Sequence, residues 1–595
     1  MDVNTATTNS LYTNDIVHTP ITTVQRNSVL LVLGDQLYNP GILANHIFMD
    51  QSSRPTIYIS ESVELCRHYR YHKHKLIHFL SCMRHYAVEL QQLQWNVHYD
   101  RLDTIDDGNR CNMDLPYLEK LYSYCVKHNI STIYHYPISD LFFETPFFTW
   151  CTTHNIQHIL IPSMTGYVTS RAQFSEYINS LGTNKKPFAA SFYIKQRHRL
   201  NILIDSRTNK PFGGKYSYDT DNRKSLPKSV HVPDTIDMKS IQHDTITNDV
   251  IELINTRFSS HPGSSDTFYL ATSRNDVKEW LNKFLVERLH SFGLYEDAIT
   301  QRSPFVYHSV LSPYLNTGLI TTHEIILTTL QYYQQNQSII PLSSIEGFIR
   351  QLIGWREYIN GLYHHYTISL TTSNYWQHHR TFKCNSFYNG TTGILPFDDC
   401  IRKVLKLGYL HHIERLMVCG NIFMLCEIQP NLVYQWYMEL FIDSADWVMQ
   451  PNVYGMILNV DGGACGFTKP YLCSSNYIIK QCGNEGTYSK SQSWCNILDG
   501  LYWRFLQKHR TVLSKNMRMG KILYGLDRMS DERKSMIFNA AELFLNQHTI
   551  LSDQYQNIDQ SQYYHTGTSP QHSMKVEPNT VIKSETSSNK RKYQV

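Results

Sequence analysis

Several short segments of this 595-residue chain carry side chains suited to chemistry. His411-His412-Ile413-Glu414-Arg415 sets two imidazoles beside a carboxylate and a guanidinium. Adjacent residues point about 100° apart on a helix, so the pair is not a chelate on one face; one ring can face a site while the other packs. A histidine in an apolar pocket suits proton transfer, because its pKa lies near neutrality. Arg350 to Tyr358, RQLIGWREY, interleaves arginine and tryptophan and could hold a planar anionic ligand by ion pairing and stacking. Ser309-Val310-Leu311-Ser312-Pro313 is either an anion seat or a plain Ser-Pro helix opener. Gly34-Asp35-Gln36-Leu37 follows an apolar run, where open α/β sheets bind ligands, but also fits an ordinary strand-to-helix turn. The basic, His-rich run Arg67 to Lys75 could meet phosphates; a solvated helix face is the plainer reading. Trp436, Tyr437 and Trp447, with Asp443 and Asp446 between, could relay electrons to a redox cofactor or only pack.

Positioning such groups requires a layered fold. Ser28 to Leu33 is a continuous apolar run that reads as a buried parallel strand. Further strands are expected at 56–59, 96–99, 132–134 and 158–161, with a long helix over 66–93. Strands alternating with helices indicate an α/β layer ending near residue 165. Residues 1–26 read as a disordered leader, 27–165 as the α/β domain, and 166–265 as a surface connector. From 266 to 547 the period is helical, with Val277, Trp280, Leu281, Phe284, Leu285 and Leu289 on one face. Ser343 and Glu346 have capping-box spacing. Residues 548–595 read as a disordered tail.

Composition narrows the field. The 55 basic and 51 acidic side chains leave a net +4, which excludes a histone-like or basic-arm protein and permits a local positive groove. Aromatics at 13% and 29 His suit a cavity for a flat ligand, or reflect codon usage. The 13 Cys are odd in number and contain no CxxC, which points to a reducing compartment, nuclear or cytoplasmic, rather than a disulfide framework. No apolar run approaches the ~18 residues of a membrane span.

Taken in order, the segments LVLGDQL (31–37), YRYHKHKL (69–76), SCMRHYA (81–87), KPFGGKYSYD (210–219), HSVLSPYLNTGL (308–319), EGFIRQLIGWREYI (346–359), HHIERLM (411–417), WYMELFIDSADWVMQPNVYGM (436–456), DGGACGFTKPY (461–471) and DRMS (527–530) resemble the photolyase/cryptochrome superfamily. The match is to its iron–sulfur bacterial cryptochrome and photolyase branch, the deoxyribodipyrimidine photolyase-related proteins with prokaryotic-type (6-4) activity. The resemblance covers roughly residues 27–547. It implies a Rossmann-like antenna domain followed by an all-helical FAD-binding domain, acting as a monomer on UV-damaged DNA. Ser309, Leu311 and Ser312 would then lie near the FAD phosphates, Arg350, Trp355 and Arg356 along the flavin cavity, and Arg415, Asp443 and Asn452 near the isoalloxazine. Gly34, Asp35, Gln36 and Glu61 match positions around a 6,7-dimethyl-8-ribityllumazine antenna. His411 and His412 resemble the His-His signature used for proton transfer in (6-4) repair. Trp436 and Tyr437 match photoreduction aromatics, with Ala445 standing where the next relay ring is expected.

The branch binds a [4Fe–4S] cluster through four Cys. Cys400, Cys482 and Cys495 match three of them, while Ile479 stands at the fourth, with Cys473 nearby. Cluster and cluster-free readings both stand. In the tail, Met574 to Glu577 and Ile582 to Glu585 look like sumoylation sites, and Lys590-Arg591-Lys592 looks like an import signal. The leading function is a light-driven lyase for UV lesions, (6-4) photoproducts first, which the His411-His412 pair favours; the alternative is a cryptochrome photoreceptor using the same flavin, which the modifiable tail and Ala445 favour. An antenna-free flavoprotein is a third reading.

Overall fold

The computed structural model describes residues 20–103, 114–162, 165–182, 185–233, 241–483, 487–515 and 517–552. The first apolar run forms β1, Ser28–Leu31, with all four residues buried. β2 (Thr56–Ser60), β3 (Val97–Asp100), β4 (Thr132–His135) and β5 (Gln157–Leu160) follow. All pair in parallel, in the order β3-β2-β1-β4-β5. A central strand of such a sheet is covered on both faces, which is why β1 reads as unbroken apolar sequence. The order reverses between β1 and β4, so the loops beyond these strands frame the crevice where open α/β sheets bind ligands. Gln36 spans that crevice. Its Nε2 donates to the Pro137 carbonyl at 3.1 Å, and its Oε1 accepts from the Leu33 amide at 3.3 Å.

The helix expected over 66–93 is two helices, Val63–Arg67 and Lys73–Gln92. The break falls inside the basic run. Only its first half is a solvated face, with Arg67, His68 and Arg70 exposed: His72, His74 and Lys75 are buried, and the Lys75 ammonium donates to the Ser444 carbonyl at 2.7 Å and its hydroxyl at 3.0 Å. The turn between the helices plugs into the helical region, so its polar atoms are satisfied by backbone carbonyls rather than water.

At three other places the described residues depart from the expected boundaries for one reason, tertiary packing of short segments with little period of their own. In the expected leader, Ile21 donates its amide to Ile47, and Gln25 bonds the Tyr134 hydroxyl. The expected surface connector contains the helices Arg171–Ser180, Ala189–Arg199 and Thr245–Arg257. It buries Phe174, Phe192 and an Arg197 guanidinium that donates to three carbonyls. The expected tail begins later than 548, since Thr549–Leu551 pairs antiparallel with Arg380–Phe382. The Ser343/Glu346 capping box does not form either: the helix Leu342–Ile349 starts behind Pro341, Ser344 accepts from the Gly293 amide, and Glu346 accepts from the Tyr218 amide. The motifs in the tail lie outside the described residues. Among the described residues, no helix is long and apolar enough to cross a membrane.

Beyond the C-terminal end of β2, Glu61 is buried with every charge-bearing atom engaged. It accepts from Arg84 at 2.8 and 3.1 Å, from the Tyr99 hydroxyl at 2.9 Å and from the Leu102 amide at 2.8 Å. Removing one partner of such a buried pair strands the other in a low-dielectric site. Arg84→Met is expected to lower stability by about 3–5 kcal/mol. Urea unfolding of the wild type and the variant reads this directly, and a negligible change would mean the pair is not buried as described.

Candidate functional site

The helical region encloses a cavity of about 300 Å³. Three π-helical stretches wall it: Arg350–Arg356, Glu414–Gly420 and Gln450–Ile457. A π-turn rotates side chains out of α register, and such insertions concentrate at functional sites. Here they turn Trp355, Arg356, Arg415, Leu416, Asn452 and Val453 inward. A fourth wall is the segment leading into the helix Ser312–Thr317. Within it Val310 holds φ at +54°, a left-handed conformation that a β-branched residue adopts only under tertiary constraint.

One ion pair organises the polar side. Arg415 donates to both oxygens of Asp443, at 2.8 and 3.0 Å, and its Nε donates to the Leu410 carbonyl at 2.7 Å. Ser312 donates to Asp443 at 2.7 Å, and Asn316 donates to its carbonyl at 2.8 Å. The Arg415 guanidinium lies over Phe441 at 4.3 Å and Tyr409 at 5.2 Å. The other arginine, Arg356, lies over Trp447 at 4.6 Å and Tyr167 at 5.0 Å, and reaches the Asn316 amide oxygen at 3.1 Å. Its Nε is buried without a partner among the described residues. Two guanidinium groups, serine hydroxyls and broad apolar walls make a seat for a ligand with an anionic part and a flat aromatic part. The donors present therefore fit FAD.

The two adjacent histidines separate. His412 presents its ring to the cavity, 6.3 Å from Trp355, whereas His411 is buried behind the wall and stacks at 4.9 Å on His308. The ring is exposed on the open cavity, and the protein that surrounds the cavity, with the like charge of Arg415 adding to it, pushes the His412 pKa down to about 4. His412 is thus neutral near pH 7.

Ser309, Leu311, Ser312, Trp355, Arg356, Arg415, Asp443 and Asn452 all line this one cavity, and so does Tyr437. Arg350 does not. It points the other way, within 3.3–3.4 Å of Glu346, Glu296 and Asp219. Trp436 is also off the wall, fully buried, with its indole N–H on the Phe387 carbonyl at 2.8 Å. Several lining residues carried no distinctive sequence signal. Tyr409 and Met449 look like core residues in sequence, and His308 sits unmarked beside Ser309. Glu296 and Asp297 also line the cavity, and burial raises them to about 7 and about 6. Of the expected antenna positions, Gly34, Asp35 and Gln36 gather beyond β1, where burial raises Asp35 to about 6. Glu61 is committed to Arg84 and is not free for a ligand.

With this geometry in place, comparison with known proteins is informative. Residues 30–270 match the family described as deoxyribodipyrimidine photo-lyase-related protein. Over 542 residues the chain is 29% identical to a protein named (6-4) photolyase from Agrobacterium fabrum, covering 87% of this chain and 99% of that one. Over these stretches the chain is similar to the photolyase-related family. A shorter stretch of 90 residues is 44% identical to uncharacterized protein R855 of Acanthamoeba polyphaga mimivirus, covering 15% of this chain and 69% of that one. A solved bacterial class III photolyase from Agrobacterium tumefaciens superposes with a TM-score of 0.47 at 14% identity, over 76% of this chain and 83% of that one.

The cluster site that the resemblance implies is not assembled among the described residues. Cys400 lines a separate small cavity with Asp399, Lys403, Glu414, Ile478 and Tyr488. The Cys400 thiol is hydrogen-bonded with Cys419 and buried, and both raise its pKa. Cys495 donates to the Ser489 carbonyl at 3.4 Å, and Cys473 donates to the Met417 carbonyl at 3.2 Å. Among the described residues no three Cys, His, Asp or Glu side chains gather to hold a metal. Cys400, Cys482 and Cys495, with Ile479 in place of the fourth ligand, do not fit a [4Fe–4S] cluster. The aromatic relay is short as well. Tyr437 and Trp436 lie 5.1 Å apart, but the other rings around Trp436 are Phe423, Phe441 and Phe397, which are hard to oxidise; Ala445 caps the next helix.

Two outcomes follow. Anaerobically purified protein is expected to carry no stoichiometric iron, as metal analysis will read; one cluster per chain would overturn the cluster-free site. The lowered His412 pKa also has a sign. A group that stays neutral when folded but charges at its ordinary 6.5 when unfolded stabilises the fold above that pH, and this stability drains as pH falls toward about 4. His412→Gln is expected to flatten the loss of melting temperature between these limits, and an unchanged slope would contradict the placement.

Proposed function

We propose that this protein is a blue-light-driven, FAD-dependent DNA photolyase acting on UV pyrimidine lesions, with (6-4) photoproducts as the preferred substrate. The observation that carries the reading is His412, a neutral imidazole facing an aromatic-walled cavity braced by the Arg415–Asp443 pair. The 29% identity to a protein named (6-4) photolyase supports the choice of lesion.

When bound, reduced FAD supplies the electron after absorbing blue light. The residues of this chain do the rest. Ser309, Ser312 and Arg356 hold the anionic part, while Trp355, Val453 and Met456 bury the flat part and exclude water. Arg415 is the cation next to charge developing in the cavity, and Asp443 keeps it from swinging away. A damaged base costs little to unstack, so it can be turned out of the duplex into such a cavity. A cyclobutane dimer then needs electron transfer alone, whereas a (6-4) product also needs a proton moved, and His412 is placed to move it. A lumazine antenna is part of the proposal at the β1–β4 crevice, resting on Gly34 and Asp35, because Gln36 and Glu61 are used by the protein itself.

The test is repair of an oligonucleotide carrying one (6-4) product by purified flavin-loaded protein under blue light, beside an equal sample carrying a cyclobutane dimer. Loss of the (6-4) lesion over several turnovers is expected, and His412→Ala should cut its rate by about 100-fold or more while retaining flavin. No turnover on either lesion would sink the lyase reading. Turnover on the dimer alone would sink the lesion choice.

A further inference from the structure

The cavity carries a second histidine that the proposed chemistry has not used. His308 lines the same wall as His412. Its backbone is fixed, since Arg288 donates to its carbonyl at 3.2 Å. Its ring is fixed too: it stacks on His411 with centroids 4.9 Å apart and planes only 9° from parallel, and Phe292 meets it edge-on at 5.9 Å. Behind His411 the array continues into the protein. His411 Nε2 lies 3.5 Å from Glu414 Oε2, and the other Glu414 oxygen accepts from Lys403.

The array leaves an unusual number of polar atoms open. Apart from that ion pair, His308 Nε2, both ring nitrogens of His411 and Glu414 Oε2 have no hydrogen-bond partner among the described residues, although His411 and Glu414 are almost wholly buried. Native interiors pair such atoms, and an exception calls for a reason. Two parallel imidazoles backed by an ion pair are a poor packing solution when apolar rings would do. They make sense as groups that exchange a proton.

We propose that His308 is a second proton-transfer residue of this cavity, working beside His412 and positioned by the stacked His411. The inference rests on the photolyase reading above. The charged and titratable groups facing His308 are His411, His412, Glu414 and Arg288; Lys403, His412 and Arg415 face His411. Burial keeps both rings neutral at rest. A negative charge arriving on a ligand in the cavity favours the protonated ring. The proton then comes from solvent. The imidazole N–H bond breaks as an O–H or N–H bond forms on the base that has gained the electron. When the electron returns to its donor the proton returns to the ring, so the cycle consumes neither. Glu414, with Lys403 behind it, offsets the transient charge on the stacked pair.

The experiment uses full-length, flavin-loaded protein and a (6-4) oligonucleotide, comparing wild type, His308→Ala, His308→Gln and His411→Asn, with flavin content and photoreduction measured on the same samples. Both His308 variants are expected to keep flavin and lose about 100-fold in repair rate. The wild-type rate is expected to fall in deuterated water, and the residual rate of His308→Gln is not. His411→Asn is expected to retain partial activity with a displaced pH profile, a change that mere packing would not produce. Full repair by His308→Gln overturns this inference alone. Loss of flavin from both His308 variants overturns it in favour of a cofactor-packing role. Failure of the wild type on the (6-4) product overturns it together with the lesion choice on which it rests.

Discussion

The cavity depends on the buried Arg415–Asp443 pair. A guanidinium removed from water is costly unless a carboxylate meets it with good geometry and its remaining protons are satisfied. Both conditions hold, with two oxygens of Asp443 and the Leu410 carbonyl. Satisfying them draws three separate stretches together: the π-helical turn from Glu414, the loop that carries Asp443, and the helix Ser312–Thr317, whose Ser312 and Asn316 complete the bonds of Asp443. The bond to Leu410 also fixes the backbone just before His411 and His412, so that one ring faces in and the other packs behind it. The apolar and aromatic walls then pack around a polar frame that is already set.

The same helix ties the cavity to the sheet. Ser312 and Leu315 line the cavity, while the Thr317 carbonyl at its far end accepts from the Leu37 amide, in the loop beyond β1. Arg274 strengthens this junction with bonds to the Leu37 and Leu319 carbonyls and a pairing with Glu89. The crevice at the sheet's switch point is therefore partly roofed by the chain itself. A ligand there and a ligand in the cavity would contact the two ends of one short, rigid helix.

Much of this was legible in the sequence. The parallel sheet follows from short apolar runs separated by helical periods, and the five strands fall within about two residues of their expected places, the usual blur at element ends. Eight of the expected cavity residues line one wall set because their motifs recur in an order that few folds share. Arg350 and Trp436 misled for a geometric reason. Each neighbours a true lining residue in sequence, but the π-turn and the helix phase send it to the opposite face, into an acidic cluster and an aromatic core. His308 was passed over for the converse reason, since a lone histidine before a serine has no pattern until its stacking partner, more than 100 residues away, is in place. The incomplete ligand set was visible as Ile479, but not that Cys400 is hydrogen-bonded with Cys419.

By itself, the sequence determined the layer order, the family resemblance and the types of side chain available to the site, because these depend on local periodicity and on residues named one by one. Tertiary structure decided which of those side chains share a cavity. It separated His411 from His412, placed His308 beside one and against the other, withdrew Glu61 and Arg350 into ion pairs, and kept three cysteines from meeting as ligands. The physical reason is that buried charges and hydrogen-bonding groups must find partners wherever the packed chain offers them. Those partners here lie tens to hundreds of residues away, beyond the reach of any local pattern.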